Sequence, residues 1–166
     1  MPKLGLIGFP LSHSFSEKYF SEKFQKEGLK GWDYSLYPIE AIERLPNLIQ
    51  SDHELIGLNV TIPYKKAVVP YLNALSPEAA EIGAVNTIMI RRENGISLTG
   101  YNTDAQAFEK CLTPHLASGM QSALVLGTGG GAAAVAYVLK KLNIAYKFVS
   151  RNPLADQLGY QDLQRS

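Results

Sequence analysis

The sequence predicts an α/β protein built from two units in series. Short apolar segments typical of strands alternate with segments of helical length along all 166 residues. Within 123–149, a fully apolar strand, a glycine-rich turn, an alanine-rich helix and a further strand follow one another. A strand–turn–helix–strand unit of this kind indicates a parallel sheet. The character of the chain changes after Thr113-Pro114, so a boundary between the units is expected near 103–121.

The elements of the first unit follow from apolar periodicity and from turn and capping residues. Strands are predicted at 3–9, 32–39, 55–62, 87–92 and 96–101, and helices at 17–27, 40–49, 64–72, 77–82 and 104–112. Ser14 or Ser16 would cap the first helix, and Gly28 suits its end. Ser76 would cap the fourth helix, with Pro77 at its first position. Asn94-Gly95 predicts a tight turn between the last two strands.

The third strand carries polar side chains in an apolar run. Asn59 and Thr61 are two residues apart and therefore share one face of the strand. Pro63 ends the ladder, and Lys65 follows within one turn. Buried amide and hydroxyl groups are costly unless they are hydrogen-bonded. The strand therefore either has one solvated face or presents hydrogen-bonding groups and an ammonium to a polar ligand.

The second unit contains the sequence of a phosphate-binding turn. A strand at 123–126 precedes the turn, and a helix at 132–142 and a strand at 144–149 follow it. Such a turn brings backbone N–H groups and a helix N-terminus to a pyrophosphate. The cofactor-binding residues expected here are Gly127, Thr128, Gly129, Gly130, Gly131, Ser150, Arg151 and Asn152. An arginine after the second strand suits a 2′-phosphate and favours NADP over NAD.

Only two strands are predicted in this second unit, whereas a dinucleotide-binding half normally has three. Residues 154–166 hold little that would complete the sheet, and an open parallel edge is rarely exposed. We therefore expect an incomplete Rossmann-type domain and a chain that is a fragment of something longer.

Composition excludes several functional classes. A net charge of +1 gives no basis for binding nucleic acid or an acidic membrane surface. Residues 111–139 lack Asp, Glu, Lys and Arg, but the glycine turn and Pro114 argue against a membrane span. The single cysteine, Cys111, fits a reducing compartment. The three histidines show no metal-ligand spacing, so no metal site is predicted.

Polar residues gather at the predicted strand ends and adjoining loops, where ligands bind in open α/β sheets. They are Ser12, Ser14, Ser16, Asn59, Thr61, Lys65, Asn86, Asn102, Thr103 and Asp104. Each has a local alternative as a helix cap or turn residue. Together they offer hydroxyls, amides, one ammonium and one carboxylate, a set that suits a small polyhydroxy acid.

These residues lie in segments that resemble the shikimate dehydrogenase family. The matching segments are 8–16 (GFPLSHSFS), 59–65 (NVTIPYK), 83–87 (GAVNT), 100–104 (GYNTD) and 127–131 (GTGGG). The resemblance implies a substrate-binding domain at 1–103, a linking helix and connection at 104–121, and a partial NADP-binding Rossmann domain at 122–166. It also implies a cytoplasmic enzyme and allows a homodimer.

The resemblance further implies a role for each site residue. Ser14 and Ser16 would hold a substrate carboxylate, and Asn59, Thr61, Asn86 and Asp104 would hold ring hydroxyls. Lys65 and Asp104 would form the catalytic pair for reversible hydride transfer between NADPH and 3-dehydroshikimate, giving shikimate. An ammonium beside the reacting oxygen would either donate the proton or stabilise the developing charge.

Two features depart from the family pattern. Thr128 and Gly131 stand where alanines are common, and Ser150-Arg151-Asn152 replaces the usual Asn-Arg-Thr. The alternatives are a quinate/shikimate dehydrogenase that uses NAD and a module that binds shikimate-type acids without turnover. Methylene-tetrahydrofolate dehydrogenases share the two-domain plan but should lack the serine loop.

Overall fold

A computed structural model describes residues 1–116 and 120–163. Residues 117–119 of the predicted connection and 164–166 of the predicted second unit lie outside the described residues. The first unit runs in the order β1 (Lys3–Gly8), α1 (Ser16–Lys26), β2 (Asp33–Pro38), α2 (Leu45–Ser51), β3 (Leu55–Val60), α3 (Tyr64–Ala67), β4 (Ala74–Leu75), α4 (Pro77–Ile82), β5 (Thr87–Arg91), β6 (Ser97–Tyr101) and α5 (Asp104–Leu112). The second unit runs β7 (Ser122–Leu126), α6 (Gly130–Lys141), β8 (Ala145–Ser150) and β9 (Leu158–Gly159).

Each unit is organised around its own sheet. The first sheet has the order β2-β1-β3-β5-β6-β4 and is mixed. In it β1 is parallel to both β2 and β3, whereas β5 is antiparallel to β3 and β6. The hairpin predicted from Asn94-Gly95 is therefore confirmed. In the second sheet β7, β8 and β9 are all parallel, as the strand–turn–helix–strand pattern predicts.

Apolar residues cover both faces of the first sheet. Neighbouring residues of β1 point to opposite faces, so Ile7 enters one core with Leu45 and Ile49 of α2, and Leu6 enters another with Phe24 of α1. A parallel strand pair needs this cover on both sides. The central strand β3, which carries Asn59, is thereby held between two layers.

The two units contact each other through helices with small side chains. Ala134 and Val138 of α6 pack against Ala105 of α5 and against Ile82 and Ala84 at the end of α4. Alanines at this contact allow the helix backbones to approach closely. The start of α5 and the start of α6 are thus part of one packed assembly.

Two predicted helices differ from the structure because of prolines. The predicted helix at 64–72 ends as an α-helix at Ala67 and continues as a 3-10 turn at Val69–Tyr71. Pro70 supplies no N–H group, and its ring clashes with a preceding helical carbonyl. The predicted helix at 40–49 begins late, with a 3-10 turn at Ile42–Arg44 before α2. Pro46 lies in the first turn of α2, the part of a helix where proline is tolerated.

The prediction of only two strands in the second unit is wrong. β9 adds a third parallel strand, in which Leu158 pairs with Val149 and Gly159 pairs with Ser150. The first sheet also contains a strand that was not predicted, β4, which pairs in parallel with β6. Both strands have two residues, too few to produce a periodic pattern.

The serines predicted to cap the first helix occupy other positions. Phe15 is the N-cap of α1 and makes no side-chain capping bond, and Ser16 is the first helical residue. The Ser14 hydroxyl accepts a hydrogen bond from the Ser16 N–H over 3.3 Å. The Ser76 cap of α4 is confirmed, since its hydroxyl accepts from the Ala79 N–H over 3.2 Å. Gly28, with φ of +68°, follows α1 as predicted.

Arg92 fixes the loop before β3 to the end of β5. Its Nη2 donates to the carbonyl oxygens of Ile49 and Asp52 at 2.7 and 2.9 Å.

Among the described residues, no helix combines the length and apolarity needed to cross a bilayer.

Candidate active site

Lys65 and Asp104, which are 39 residues apart in the chain, form an ion pair. Lys65 lies on α3, which follows β3, and Asp104 is the first residue of α5. The Lys65 Nζ donates to Asp104 Oδ2 over 2.7 Å, and both side chains are partly buried. A charge-assisted hydrogen bond of this length orients the ammonium strongly.

Asn86 holds the other oxygen of the same carboxylate. Its Nδ2 donates to Asp104 Oδ1 and to Thr103 Oγ1, each over 2.8 Å, and its Oδ1 accepts from the Thr103 N–H at 2.9 Å. A primary amide has two N–H groups, and both are used here. In this structure Asn86 therefore fixes Asp104 and keeps no N–H for a ligand, whereas it was predicted to hold a substrate hydroxyl.

Asn59 continues the hydrogen-bonded network on the neighbouring strand. Asn59 of β3 is paired with Thr87 of β5, and its Nδ2 donates to Thr87 Oγ1 over 3.4 Å. Thr87 Oγ1 in turn donates to Asn86 Oδ1 over 3.1 Å. Tyr34 donates to Asn59 Oδ1 over 2.8 Å. Side chains from β2, β3, β5 and α5 thus form a continuous chain that ends at Lys65.

Burial determines the ionisation of Tyr34. It raises the pKa of the Tyr34 phenol to about 12, against a smaller lowering effect of the Ser16 side chain. The phenol is therefore neutral near pH 7 and serves as a hydrogen-bond donor.

The serine loop forms one wall of a cavity of about 510 Å³. Ser14, Ser16 and Thr61 contribute hydroxyl groups to it, and Phe9 and Leu11 contribute apolar surface. Thr61 lies just beyond β3, yet its N–H still donates to the Ile7 carbonyl over 2.9 Å. The cavity therefore combines a mostly apolar lining with a few hydroxyl groups, as is typical of sites for small ligands.

A second cavity, of about 500 Å³, separates the end of β3 from the glycine turn. Thr61, Ile62 and Lys65 line one side, and the other side is lined by Gly127, Gly129, Gly130 and Gly131. Gly127 has φ of +107°, a conformation that favours glycine. The helix α6 begins at Gly130, so its N-terminal N–H groups lie at this cavity. These features suit the pyrophosphate of a dinucleotide.

The glycine turn also contacts the first unit directly. A Cβ atom on Gly130 would clash with the Lys65 side chain, and the Lys66 Nζ donates to the Thr128 carbonyl over 3.0 Å. Lys65 therefore lies between Asp104 and the turn, beside the cavity that suits a dinucleotide.

The residues predicted to read the 2′-phosphate lie next to this turn without lining either cavity. The Gly127 N–H donates to the Val149 carbonyl over 2.8 Å, which brings the end of β8 to the turn. There the Asn152 N–H donates to Ser150 Oγ over 3.2 Å, and Arg151 is exposed. The structure thus brings Thr61 and Lys65 of the first unit to the glycine turn, whereas Arg151 lines neither cavity.

Two residues of the network and one contact were not predicted from the sequence. Thr87 lies inside a segment that carries the family resemblance, so its position next to Asn86 was a usable signal. Tyr34 looks like any aromatic residue of a core strand, and nothing in the sequence predicts its partner 25 positions away. The contact of Lys66 with Thr128 depends on how the units pack.

Comparison with known proteins shows which family this chain is similar to. Residues 6–88 match the family model described as the shikimate dehydrogenase substrate binding domain. A curated shikimate dehydrogenase (NADP(+)) from Syntrophomonas wolfei is 41% identical over 146 residues, which are 86% of this chain and 48% of that protein. The chain spans about half the length of the curated relatives it matches.

Solved structures extend the similarity beyond the matched domain. Shikimate dehydrogenase 1 from Peptoclostridium difficile is 33% identical, with a TM-score of 0.85 over 98% of this chain and 62% of that one. The Thermus thermophilus enzyme, solved in complex with NADP(H) and shikimate, is 31% identical. Its TM-score is 0.75 over 92% of this chain and 57% of that one.

Proposed function

Because the chain belongs to the shikimate dehydrogenase family, we propose that it contributes the substrate-binding unit and the phosphate-binding turn of an NADP-dependent enzyme. The reaction is the reversible reduction of 3-dehydroshikimate to shikimate. The observation that carries the proposal is the 2.7 Å pair of Lys65 and Asp104 beside the glycine turn. Hydride transfer would require the ketone oxygen of the substrate and the dinucleotide to bind side by side at this place.

Lys65 acts at the oxygen of the reacting carbonyl. When bound, NADPH would supply a hydride to the carbonyl carbon, and the C=O π electrons would move to the oxygen. The Lys65 ammonium donates a hydrogen bond to that oxygen and stabilises its growing negative charge. The oxygen takes up one proton, either from the Lys65 ammonium or from solvent, to become the hydroxyl of shikimate, and oxidation is the reverse. Asp104 keeps the ammonium in place through its Oδ2.

The remaining site residues bind and orient the two molecules. Ser14 and Ser16 hold the substrate carboxylate, and Asn59 and Thr61 hold its hydroxyls. Asn86 and Asp104 complete the hydroxyl site, with Asn86 exchanging one of its protein hydrogen bonds for the ligand. The residues that would hold NADP are Gly127, Thr128, Gly129, Gly130 and Gly131 at the pyrophosphate and Ser150, Arg151 and Asn152 at the 2′-phosphate.

Calorimetry with shikimate, run beside an NADPH absorbance assay, tests this function. We expect the chain to bind shikimate with measurable heat and to reduce NADP⁺ in its presence, while NAD⁺ and quinate support less turnover. Absence of shikimate binding would refute the proposed substrate.

A second candidate function is binding of shikimate-type acids without turnover. The observation that favours it is that Ser150, Arg151 and Asn152, the residues proposed for the 2′-phosphate, line neither cavity. Heat of binding with shikimate, without any change in NADPH absorbance, would select this candidate.

A further inference from the structure

Tyr34 is a buried residue outside both cavities whose hydroxyl nevertheless reaches the site. Only 2% of it is exposed, and its ring belongs to an apolar cluster with Leu6, Leu11 and Phe24. The ring stacks on Phe20 of α1 with centroids 4.4 Å apart and planes 10° apart. This packing fixes the ring, so the position of the hydroxyl is fixed as well.

The Tyr34 hydroxyl holds the oxygen end of the Asn59 amide, to which it donates over 2.8 Å. The orientation of the amide is set at its other end by Thr87 Oγ1, which gives its own proton to Asn86 Oδ1 over 3.1 Å and can therefore only accept from Asn59 Nδ2. The second N–H of Nδ2 has no partner among the described residues. The amide oxygen and nitrogen have nearly the same size, so hydrogen bonds rather than steric contacts decide the orientation. The phenol completes this set of bonds and holds the amide in place.

We infer that Tyr34 is a positioning residue that holds the Asn59 amide with an N–H group toward the bound polyhydroxy acid. The inference rests on the proposed function, which assigns Asn59 to the substrate. Tyr34 itself touches no ligand. It acts by holding the Asn59 amide oxygen, and through its stacking on Phe20 it also links α1 to the polar end of β3.

The variant Tyr34→Phe tests this role because it keeps the ring and its stacking but removes the hydroxyl. We expect shikimate binding by the 166-residue chain to weaken by roughly fivefold, the size of one net hydrogen bond. Tyr37→Phe is the matched control. It removes another phenol from β2, one that donates to Asp52 Oδ2 over 3.0 Å and lines neither cavity. This control should bind shikimate like the wild type.

A spectroscopic measurement without ligand separates positioning from general destabilisation. In ¹⁵N-resolved NMR, the Asn59 side-chain amide signals should shift, and their exchange with water should quicken, in Tyr34→Phe but not in Tyr37→Phe. A Tyr34→Phe chain with unchanged Asn59 signals would overturn the inference. So would unchanged shikimate affinity in a wild type that binds shikimate. If the wild type does not bind shikimate, the proposed function is refuted. The Asn59 signals then still test whether Tyr34 orients the Asn59 amide.

Discussion

The backbone of Gly130 approaches Lys65 so closely that a Cβ atom on the glycine would lie 2.6 Å from the lysine Cβ. The obstacle is the base of the lysine side chain, which cannot move without its backbone. Only glycine therefore fits where α6 begins against α3. The contact joins the residue proposed to act on the substrate with the turn proposed to bind the cofactor.

Replacing this glycine should destabilise the chain. Gly130→Ala forces α6 or α3 to shift, and we expect the free energy of unfolding to fall by about 1–3 kcal/mol, as in other overpacked sites. The measurement is urea unfolding followed by circular dichroism. Gly131→Ala is the control, since a Cβ atom there meets nothing within 4 Å and helix propensity favours alanine. Equal stability of Gly130→Ala and Gly131→Ala would contradict the close packing.

Lys65→Met should abolish most turnover while leaving substrate affinity within about tenfold. The ammonium is proposed to act at the reacting oxygen, and loss of an acid–base group of this kind typically costs about 10²- to 10⁴-fold in rate. Steady-state reduction of NADP⁺ by shikimate, together with calorimetry, separates the two effects. Lys110→Met, which removes an exposed lysine of α5, should behave like the wild type. Turnover of Lys65→Met within a few-fold of the wild type would rule out the role given to Lys65.

Asp52 should make the stability of the chain depend on acid pH. Burial alone would raise the pKa of this carboxyl, but hydrogen bonds from Lys3 and Tyr37 outweigh it and lower the pKa. Because the pKa is lower in the folded state, the carboxylate stabilises the fold above its unfolded pKa of about 3.9. That stabilisation is lost as the pH falls through the folded pKa.

The measurement is urea unfolding of the wild type and of Asp52→Asn at neutral and acid pH. We expect the difference in free energy of unfolding to be largest near neutrality and to shrink below about pH 4. Asp156→Asn, which removes an exposed carboxylate, is the control and should show little difference at either pH. If the difference in free energy of unfolding between wild type and Asp52→Asn did not change with pH, the prediction would be contradicted, because Asp52 would keep one protonation state.

Arg92→Met should cost about 1–3 kcal/mol of unfolding free energy, because the carbonyls of Ile49 and Asp52 lose a charged donor. Thermal and urea unfolding would measure the loss. The adjacent Arg91 is exposed, and Arg91→Met is expected to change stability by no more than about 0.5 kcal/mol. Similar losses in both variants would mean that the carbonyl contacts of Arg92 contribute nothing specific.

Signals from a few adjacent residues were sufficient to predict where some helices begin and where one hairpin turns. The Ser76 cap, the Asn94-Gly95 turn and the start of α5 at Asp104 were all predicted at the observed places. Each depends on a few adjacent residues, so no knowledge of the tertiary fold is needed. Pro70 carried an equally local signal, and the helix predicted across it was wrong for that reason.

The site could be predicted only as a set of residues, since their mutual geometry depends on sheet order. Lys65 and Asp104 were expected to pair, and Lys65 Nζ lies 2.7 Å from Asp104 Oδ2. Both N–H groups of the Asn86 amide are used by Thr103 and Asp104, and only distances in the folded structure could show this. The contact of Tyr34 with Asn59 required knowledge that β1 separates β2 from β3 in the sheet. The strand β9 gave no pattern because two residues have no period.

Thr61 and Ile62 belong to the walls of both cavities, and Ile62 is 74% exposed. A molecule in either cavity would cover part of the same isoleucine and restrain the same two residues. The second molecule would then bind against residues that the first already contacts. Any coupling that this shared wall produces is reciprocal: the proposed substrate would change the affinity for the dinucleotide by the same factor as the dinucleotide changes the affinity for the substrate.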